Sequence, residues 1–395
     1  MTGPGGVGKS YMIHHIRNQL RHKNVHVTAL TGCAAVLIKG TTLHSWAGLK
    51  ISNFDKSAEF IVDTMSKKIL WRWKKTHVLV IDEVSMLSKE LFEKLNEIGQ
   101  IVRNNSRPFG GIQLIFSGDF FQLPPVVKSE IDDTEKFAFC SPVWNTLFCN
   151  TTFELTQIMR QKDEIFIRIL NKIRNGNIDE EVITTLESRM NLDTTDNIEP
   201  TQLMCMRHEV NRINNEQMIE LEDDIQVHKW STKTSGTNIN KITVKQWEND
   251  CQCEKTLFLA IGAQVVLLHN KFQEDFELIN GSRGVIEGFN DDGDPIVQFK
   301  TFTLEIPKHV WEFETYNGDL KHSVSQYPLK LAWALTVHKS QGMTLDSVVL
   351  DISNIFEEGQ AYVALSRVKS LDGLYIKNMN AHKIKANKTV LKYFA

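Results

Sequence analysis

Nothing in this chain is apolar for long enough to cross a bilayer: its longest apolar stretches, such as 261–268, fall far short of the roughly 20 residues a spanning helix needs. The opening MTGPGGVGKS has neither the cationic head nor the apolar run of a secretory signal. No membrane partner is expected. An intracellular location is, with nothing to choose between nucleus, mitochondrion, cytoplasm and viral factory. Cysteine is scarce and scattered (Cys33, Cys140, Cys149, Cys205, Cys251, Cys253), and the single C-x-C pair has no second pair and no histidine pair at zinc spacing. That leaves free thiols in a reducing compartment as the plain reading. Neither sign of charge dominates, since 45 Lys and Arg against 48 Asp and Glu leave a net charge of -3. Binding of polyanions by bulk charge alone is excluded, while a local basic groove is not, because phosphate contacts depend on where the cations sit. Internal repeats and low-complexity tracts are missing too.

What is present is length and alternation. At roughly 150 residues per domain, 395 residues make two or three domains, and 42% hydrophobic with 24% charged residues argues against wholesale disorder. In the first third, strand-like runs at Val25–Leu30, Val78–Ile81 and Ile112–Phe116 alternate with helical spacing at Ile13, Ile16 and Leu20 and at Leu91, Leu95, Ile98 and Val102. This predicts an α/β fold with a doubly wound, mostly parallel sheet. A similar alternation begins after Phe153, with helices at about 163–174 and 209–221, a strand at 202–206, and further elements at 330–336, 347–352, 359–368 and 374–377. Short strands at 284–289 and 296–299 around a turn cluster predict a small, SH3-like β-barrel inserted at about 281–324. The expected domains are 1–152, with a small wedge insertion at about 46–74, and 153–395. Ser231–Asn240 reads as a loose loop.

Three segments carry chemistry. Gly3-Pro4-Gly5-Gly6-Val7-Gly8-Lys9-Ser10 has the form of a phosphate-binding loop, in which backbone N–H groups cradle phosphates, Lys9 reaches the β and γ oxygens and Ser10 holds Mg²⁺. A strand should precede such a loop, and only Met1 and Thr2 do. Val78–Ile81 ends in Asp82-Glu83, which is either a helix start or a pair in which Asp82 holds Mg²⁺ and Glu83 polarises the attacking water; the loop upstream favours the second. Ser117–Pro125 follows the next strand, where Gln122 can sense a γ-phosphate or merely sit in a proline-capped loop.

In order along the chain, these segments resemble the Walker A, Walker B and third motifs of superfamily 1 helicases of the RecD-like branch. Leu91–Gln113, ending Arg107-Pro108-Phe109-Gly110-Gly111-Ile112-Gln113, is similar to the signature of the PIF (petite integration frequency) helicases. Leu329–Thr344 and Gly359–Arg367 resemble that family's fifth and sixth motifs. The resemblance implies two RecA-like P-loop domains with ATP and Mg²⁺ between them and 5′-to-3′ movement on single-stranded DNA. It also implies a monomeric core, a 5′-tailed duplex as substrate and an inchworm cycle. Carried over by motif, Arg160 and Arg367 become arginine fingers, for which an always-charged donor suits the γ-phosphate. Gln341 and Gly342 join the ATP-binding set. Thr31, His44 and Ser45, then Thr336, His338, Lys339 and Ser340, become DNA contacts, although a histidine such as His44 is also an ordinary structural residue. Phe109, in a tight turn, either stacks on a base or plugs the core.

Lys67–Lys75 interleaves cations with Trp71 and Trp73, the composition of a single-strand platform and equally of an amphipathic helix whose Trp side packs. The lysines of 377–392 read as solvated surface. The expectation is an ATP-driven helicase. Its rivals are a translocase that does not unwind, since no wedge motif is legible between Trp46 and Trp73, and a binding module whose ATPase fails for want of the first strand. Without that strand and an upstream adenine-contacting segment, the loop is expected to be anchored by its helix alone, with a frayed start, weak ATP affinity and little discrimination among nucleotides.

Overall fold

The computed structural model describes the chain apart from residues 50–53, 128–130, 150, 193–197, 222–223, 237–240, 252, 270–271, 273–277, 279 and 315–319. It divides into two units, Met1–Met159 with Ala386–Ala395, and Arg160–Lys385. The first therefore extends past 152 and also takes the chain's last ten residues, which the sequence reading had assigned to the second.

In the first unit, β1 (Val25–Ala29), β2 (Thr41–Thr42), β3 (Val78–Asp82) and β4 (Gln113–Phe116) form a parallel sheet in the order β2-β1-β3-β4. All five residues of β3 are buried, which is why it reads as an unbroken apolar run and not an alternation. Around the sheet lie α1 (Lys9–Gln19), α2 (Gly32–Leu37), α3 (Leu43–Ala47), α4 (Ala58–Asp63), α5 (Lys67–Lys75) and α6 (Lys89–Arg103). The Ser88 hydroxyl accepts from Leu91 N at 3.2 Å to start α6, and Asn104, left-handed at φ 47°, ends it. Its buried face, Leu91, Phe92, Leu95, Ile98, Gly99 and Val102, follows helical spacing.

The turn Pro108–Gly111 lies directly on α6 at Gly99, where a Cβ would meet the Phe109 carbonyl carbon at 2.8 Å. Arg103 then locks three segments together, donating from Nε to Gly110 O at 2.7 Å and from Nη1 to Trp73 O at 2.7 Å and Thr76 O at 3.1 Å.

The start of the chain is not frayed. The Met1 ammonium donates to Phe116 O at 2.9 Å and Gly118 N donates to Met1 O at 3.3 Å, while Thr2 exchanges bonds of 2.8 and 2.9 Å with Phe153 and Leu155. Two residues thus occupy the strand position before the loop, paired on both sides. Anchoring by the following helix alone was the wrong expectation, because the missing neighbour is supplied by a segment 150 residues along. The last helix, Lys388–Phe394, also packs here: Trp144 Nε1 donates to the Tyr393 hydroxyl at 2.9 Å, the Tyr393 ring stacks on Phe139 at 4.3 Å, and Phe394 lies 5.4 Å from Phe121. The lysines of that helix are on the surface, as expected, but its apolar face is part of the core.

In the second unit, strands Ala334–Thr336, Thr201–Met204, Val348–Asp351 and Leu374–Asn378 form a parallel sheet in that order. The run expected at 330–336 is two strands, Leu329–Leu331 in an antiparallel sheet and Ala334–Thr336 in the parallel one. The β-rich insertion is wider than 281–324. Five strands pair in the order 303–305, 295–299, 283–289, 264–267 and 329–331, without closing into a ring among the described residues. Ser231–Gly236, expected as loop, is an edge strand paired with Leu320–Gln326. Its side chains are mostly polar and exposed, so it lacks the apolar alternation that announces a strand. Among the described residues no helix is long and apolar enough to cross a membrane.

Candidate functional site

The glycine loop is held at both ends and in the middle. Gly3 has φ 138° and lies so close to Leu155 that a Cβ would sit 2.2 Å from its carbonyl oxygen, so only glycine fits. Met159 N donates to Gly6 O at 2.9 Å. Left-handed Gly8 (φ 84°) leads into α1, whose first residues are Lys9 and the exposed Ser10. The Lys9 ammonium folds back into the loop, donating to Gly3 O at 2.7 Å and Pro4 O at 2.8 Å. A nucleotide phosphate competes for that ammonium, and the uncapped N–H groups at the start of α1 add the helix's positive end.

Asp82 ends β3 with its side chain buried. Burial raises its carboxyl above the ordinary range, against the opposing pull of the Glu83 N–H and the Lys9 charge. Glu83 is left-handed (φ 55°, ψ 44°), a conformation costing a non-glycine residue about 1 kcal/mol. Val84 N, donating to Ser117 O at 3.0 Å, helps hold it there. Gln122 is buried, its N–H donating to Asp119 O at 2.9 Å. Ser10 and Asp82 offer a hydroxyl and a carboxylate, the hard oxygen donors suited to Mg²⁺, which keeps most of its waters and needs few protein ligands.

In the second unit the two predicted arginines meet. Arg160 Nη1 donates to Ser366 O at 2.9 Å, and Arg367 donates from Nη2 to Ser366 Oγ at 2.8 Å and from Nε to Val363 O at 2.9 Å. Buried Gln161, to which the sequence reading gave no role, spans the same stretch, its amide donating to Ser366 O at 3.1 Å and Val368 O at 2.8 Å. Gln360, also unassigned, is fully buried and accepts from Phe356 N at 3.2 Å and Glu357 N at 3.4 Å, shaping the approach to the helix Gln360–Leu365. Their positions were the available signal: Gln161 follows Arg160 directly, and Gln360 lies within Gly359–Arg367.

The expected DNA contacts divide. Thr31 accepts from Ala34 N at 3.2 Å, so its hydroxyl helps start α2, and Thr42 caps α3, which carries half-buried His44 and Ser45. Burial lowers the His44 pKa, which favours the neutral ring. Arg72 Nη2 donates to Ser45 O at 2.9 Å, and Trp73 Nε1 to Ala47 O at 3.1 Å, so α5 braces α3. Trp73 is fully buried against Trp46, while Trp71 is 41% exposed; one ring packs and the other does not. After the strand Ala334–Thr336, Thr336 Oγ1 accepts from Lys339 N at 3.2 Å. His338 and Lys339 are half-buried, but Ser340 is turned inward, its hydroxyl donating to Val337 O at 2.8 Å. Its N–H donates to Thr336 O at 3.0 Å and its carbonyl accepts from Met343 N at 2.9 Å, so side chain and backbone of Ser340 are both engaged within the turn. Gln341 is buried, its N–H donating to His338 O at 3.3 Å, and Gly342 follows at φ 83°.

Phe109 is a correction. Its ring is fully buried 5.3 Å from Phe92, and its N–H donates to Asn96 Oδ1 at 2.8 Å, so it offers no face to a base.

A PIF1-like helicase family profile matches residues 1–184. The crystal structure of the Pif1 helicase from Candida albicans is 36% identical and superposes with a TM-score of 0.75 over all of this chain and 94% of that one. The chain belongs to the PIF1-like helicase family. ATP-dependent DNA helicase PIF1 of Danio rerio is 37% identical over this whole chain, which spans 60% of that relative's length. A Bacteroides Pif1 helicase crystallised with ADP-AlF3 and ssDNA is 28% identical, with a TM-score of 0.65 over all of this chain and 91% of its own. Both units accordingly carry the RecA-like α/β fold of Pif1 helicases.

Proposed function

We propose that this chain hydrolyses ATP to move 5′ to 3′ along single-stranded DNA and to unwind duplex ahead of it. The observation that carries the reading is the seating of Lys9, Ser10, Asp82 and strained Glu83 on one sheet edge, the constellation that phosphoryl transfer to water requires. The Bacteroides relative, solved with ADP-AlF3 and ssDNA, supports the choice of substrates.

The loop N–H groups and Lys9 bind and orient the phosphates. Ser10 and Asp82 would hold Mg²⁺, which would supply positive charge to offset that of the phosphates. Glu83 takes the proton of the attacking water, and Gln122 reports the γ-phosphate to its loop. Arg160 and Arg367 act on the charge that builds in the transition state. Thr31, His44, Ser45, Thr336, His338 and Lys339 grip the backbone without reading sequence. The seat of Met1 and Thr2 supports this reading over a dead ATPase on one of that rival's two grounds, the missing first strand.

The test pairs ATP hydrolysis, with and without a dT oligonucleotide, with unwinding of duplexes bearing a 5′ or a 3′ tail. Stimulation by the strand and unwinding from the 5′ tail alone are expected. Preference for the 3′ tail overturns the polarity, and stimulated hydrolysis without unwinding of either duplex leaves a translocase.

A further inference from the structure

In the second unit a single carboxylate, Glu254, neutralises more than one cation. Lys330, on the strand Leu329–Leu331, places its ammonium 2.6 Å from Glu254 Oε1, with 13% of the lysine side chain and 45% of the glutamate side chain exposed. The backbone at Glu254 is fixed by fully buried Gln326, whose amide donates to Glu254 O at 3.3 Å and to His228 O at 2.9 Å while its carbonyl accepts from Tyr327 N at 3.0 Å. The carboxylate therefore has a fixed root and a half-exposed tip.

Lys339 lies in the field of this pair. Burial, followed by the charge of Lys330 and, more weakly, that of Arg207, presses the Lys339 ammonium down to about 8, with Glu254 pulling the other way. Burial pushes the Glu254 carboxyl up, but Lys330 and Lys339 together hold it below its ordinary range. Arg207 opens the helix Arg207–Glu220, the end at which a cation is opposed by the helix dipole. Two lysines from two segments thus share one carboxylate in a partly desolvated place, and the repulsion between them is relieved by any anion that can approach.

We propose that Glu254 stands in for a backbone phosphate of a bound single strand, and that Lys330 is a strand-binding residue which joins Lys339 once the strand displaces the carboxylate. The proposal rests on the reading of His338–Lys339 as a strand-gripping turn. Compact ammonium groups suit a phosphate as point charges, and the contact carries no base preference. An ion pair with a half-exposed partner is weak, so exchanging Glu254 for a phosphate costs little.

The test is fluorescence anisotropy of the full chain with a labelled dT oligonucleotide across a salt series. Glu254→Gln removes the internal competitor and should tighten binding about two- to five-fold, the range of a weak ion pair. Its plot of log affinity against log salt should steepen by up to about 0.7, one further phosphate neutralised outright. Lys330→Ala should weaken binding and flatten the slope by about 0.7, with Lys330→Arg restoring both. Unchanged affinity and slope in Glu254→Gln overturn the inference. If Lys330→Ala fails to fold, Glu254→Gln at its half-exposed site decides alone. Wild-type chain that does not bind the oligonucleotide defeats the functional reading as a whole, whereas binding that ignores Glu254 and Lys330 defeats only this step.

Discussion

Replacing Phe109 distinguishes a core ring from one that stacks on a base. The ring is fully buried against Phe92 and the backbone beneath it is left-handed at φ 52°. Because Phe, Leu and Ala all carry a Cβ, that backbone strain is common to the three and cancels from their differences. What remains is volume: Phe109→Ala should cost about 3–5 kcal/mol, and Phe109→Leu about 1–1.5 kcal/mol. A domain stable by about 5–15 kcal/mol survives the leucine and approaches its limit with the alanine. Hydrogen-exchange mass spectrometry over residues 89–116 reads the effect where it arises, since α6 and the Pro108–Gly111 turn should lose protection together in Phe109→Ala. Affinity of the folded Phe109→Leu variant for a dT oligonucleotide should stay within about two-fold of wild type, because a buried ring contributes nothing to a stack. Protection unchanged in Phe109→Leu, with affinity down about ten-fold, refutes the core assignment and returns the ring to the strand-binding surface.

Lys9→Ala and Glu83→Gln should each abolish ATP hydrolysis while single-strand binding persists, because the phosphate cradle and the strand contacts use different residues; near-normal turnover in Glu83→Gln removes it as the base. Arg160→Ala and Arg367→Ala should lower the hydrolysis rate by about 10³ with far smaller losses of nucleotide affinity, and equal losses in both end their role at the transition state. Strand affinity should fall with rising pH. Lys339 titrates near 8 in the free protein, and a phosphate beside it raises that value, so binding takes up a proton as the pH passes 8. The groups facing it leave that sign unaltered: Glu254 is held below its ordinary range, His338 is pushed toward neutral by burial and by the Arg207 charge, and Lys330 adds repulsion that a phosphate relieves. Between pH 7 and 9 the loss should reach about ten-fold if the bound lysine returns to its ordinary range, and Lys339→Arg should flatten the profile.

Much of this was legible because it is local. The run Val78–Ile81 names β3 since a strand buried on both faces has no polar side to show, and Gly3–Ser10 names the loop since its chemistry lies within eight consecutive residues. What escaped depends on partners far along the chain. Met1 and Thr2 read as a missing strand because nothing near them reveals that Phe116 and Phe153–Leu155 are their neighbours. The fate of Phe109 turns on Gly99, which lets the turn lie flat on α6, and a glycine within an apolar helix does not announce what rests on it. Ser231–Gly236 escaped for the opposite reason: its ladder to 320–325 is made by the backbone, while its side chains, apart from Thr234 bonded to His322 Nδ1 at 2.9 Å, are exposed and carry no apolar period.

The helix Lys388–Phe394 bears on how the protein is made. The chain leaves the first unit after Met159 and returns to it at Ala386, so every residue of the second unit is synthesised between the two parts of the first. Until Tyr393 and Phe394 emerge from the ribosome, the rings of Phe139 and Phe121 beside Gln122 lack their cover. At a synthesis rate of about 5–20 residues per second, that apolar patch is bare for on the order of ten seconds or more. A nascent chain can seat its glycine loop as soon as Phe153–Leu155 is free to pair with Thr2, but the rings beside Gln122 are covered only after the helix Lys388–Phe394 is made. A ribosome that stalls inside the second unit would therefore present a first unit whose aromatic cluster lacks Tyr393 and Phe394, the kind of exposed surface that chaperones bind.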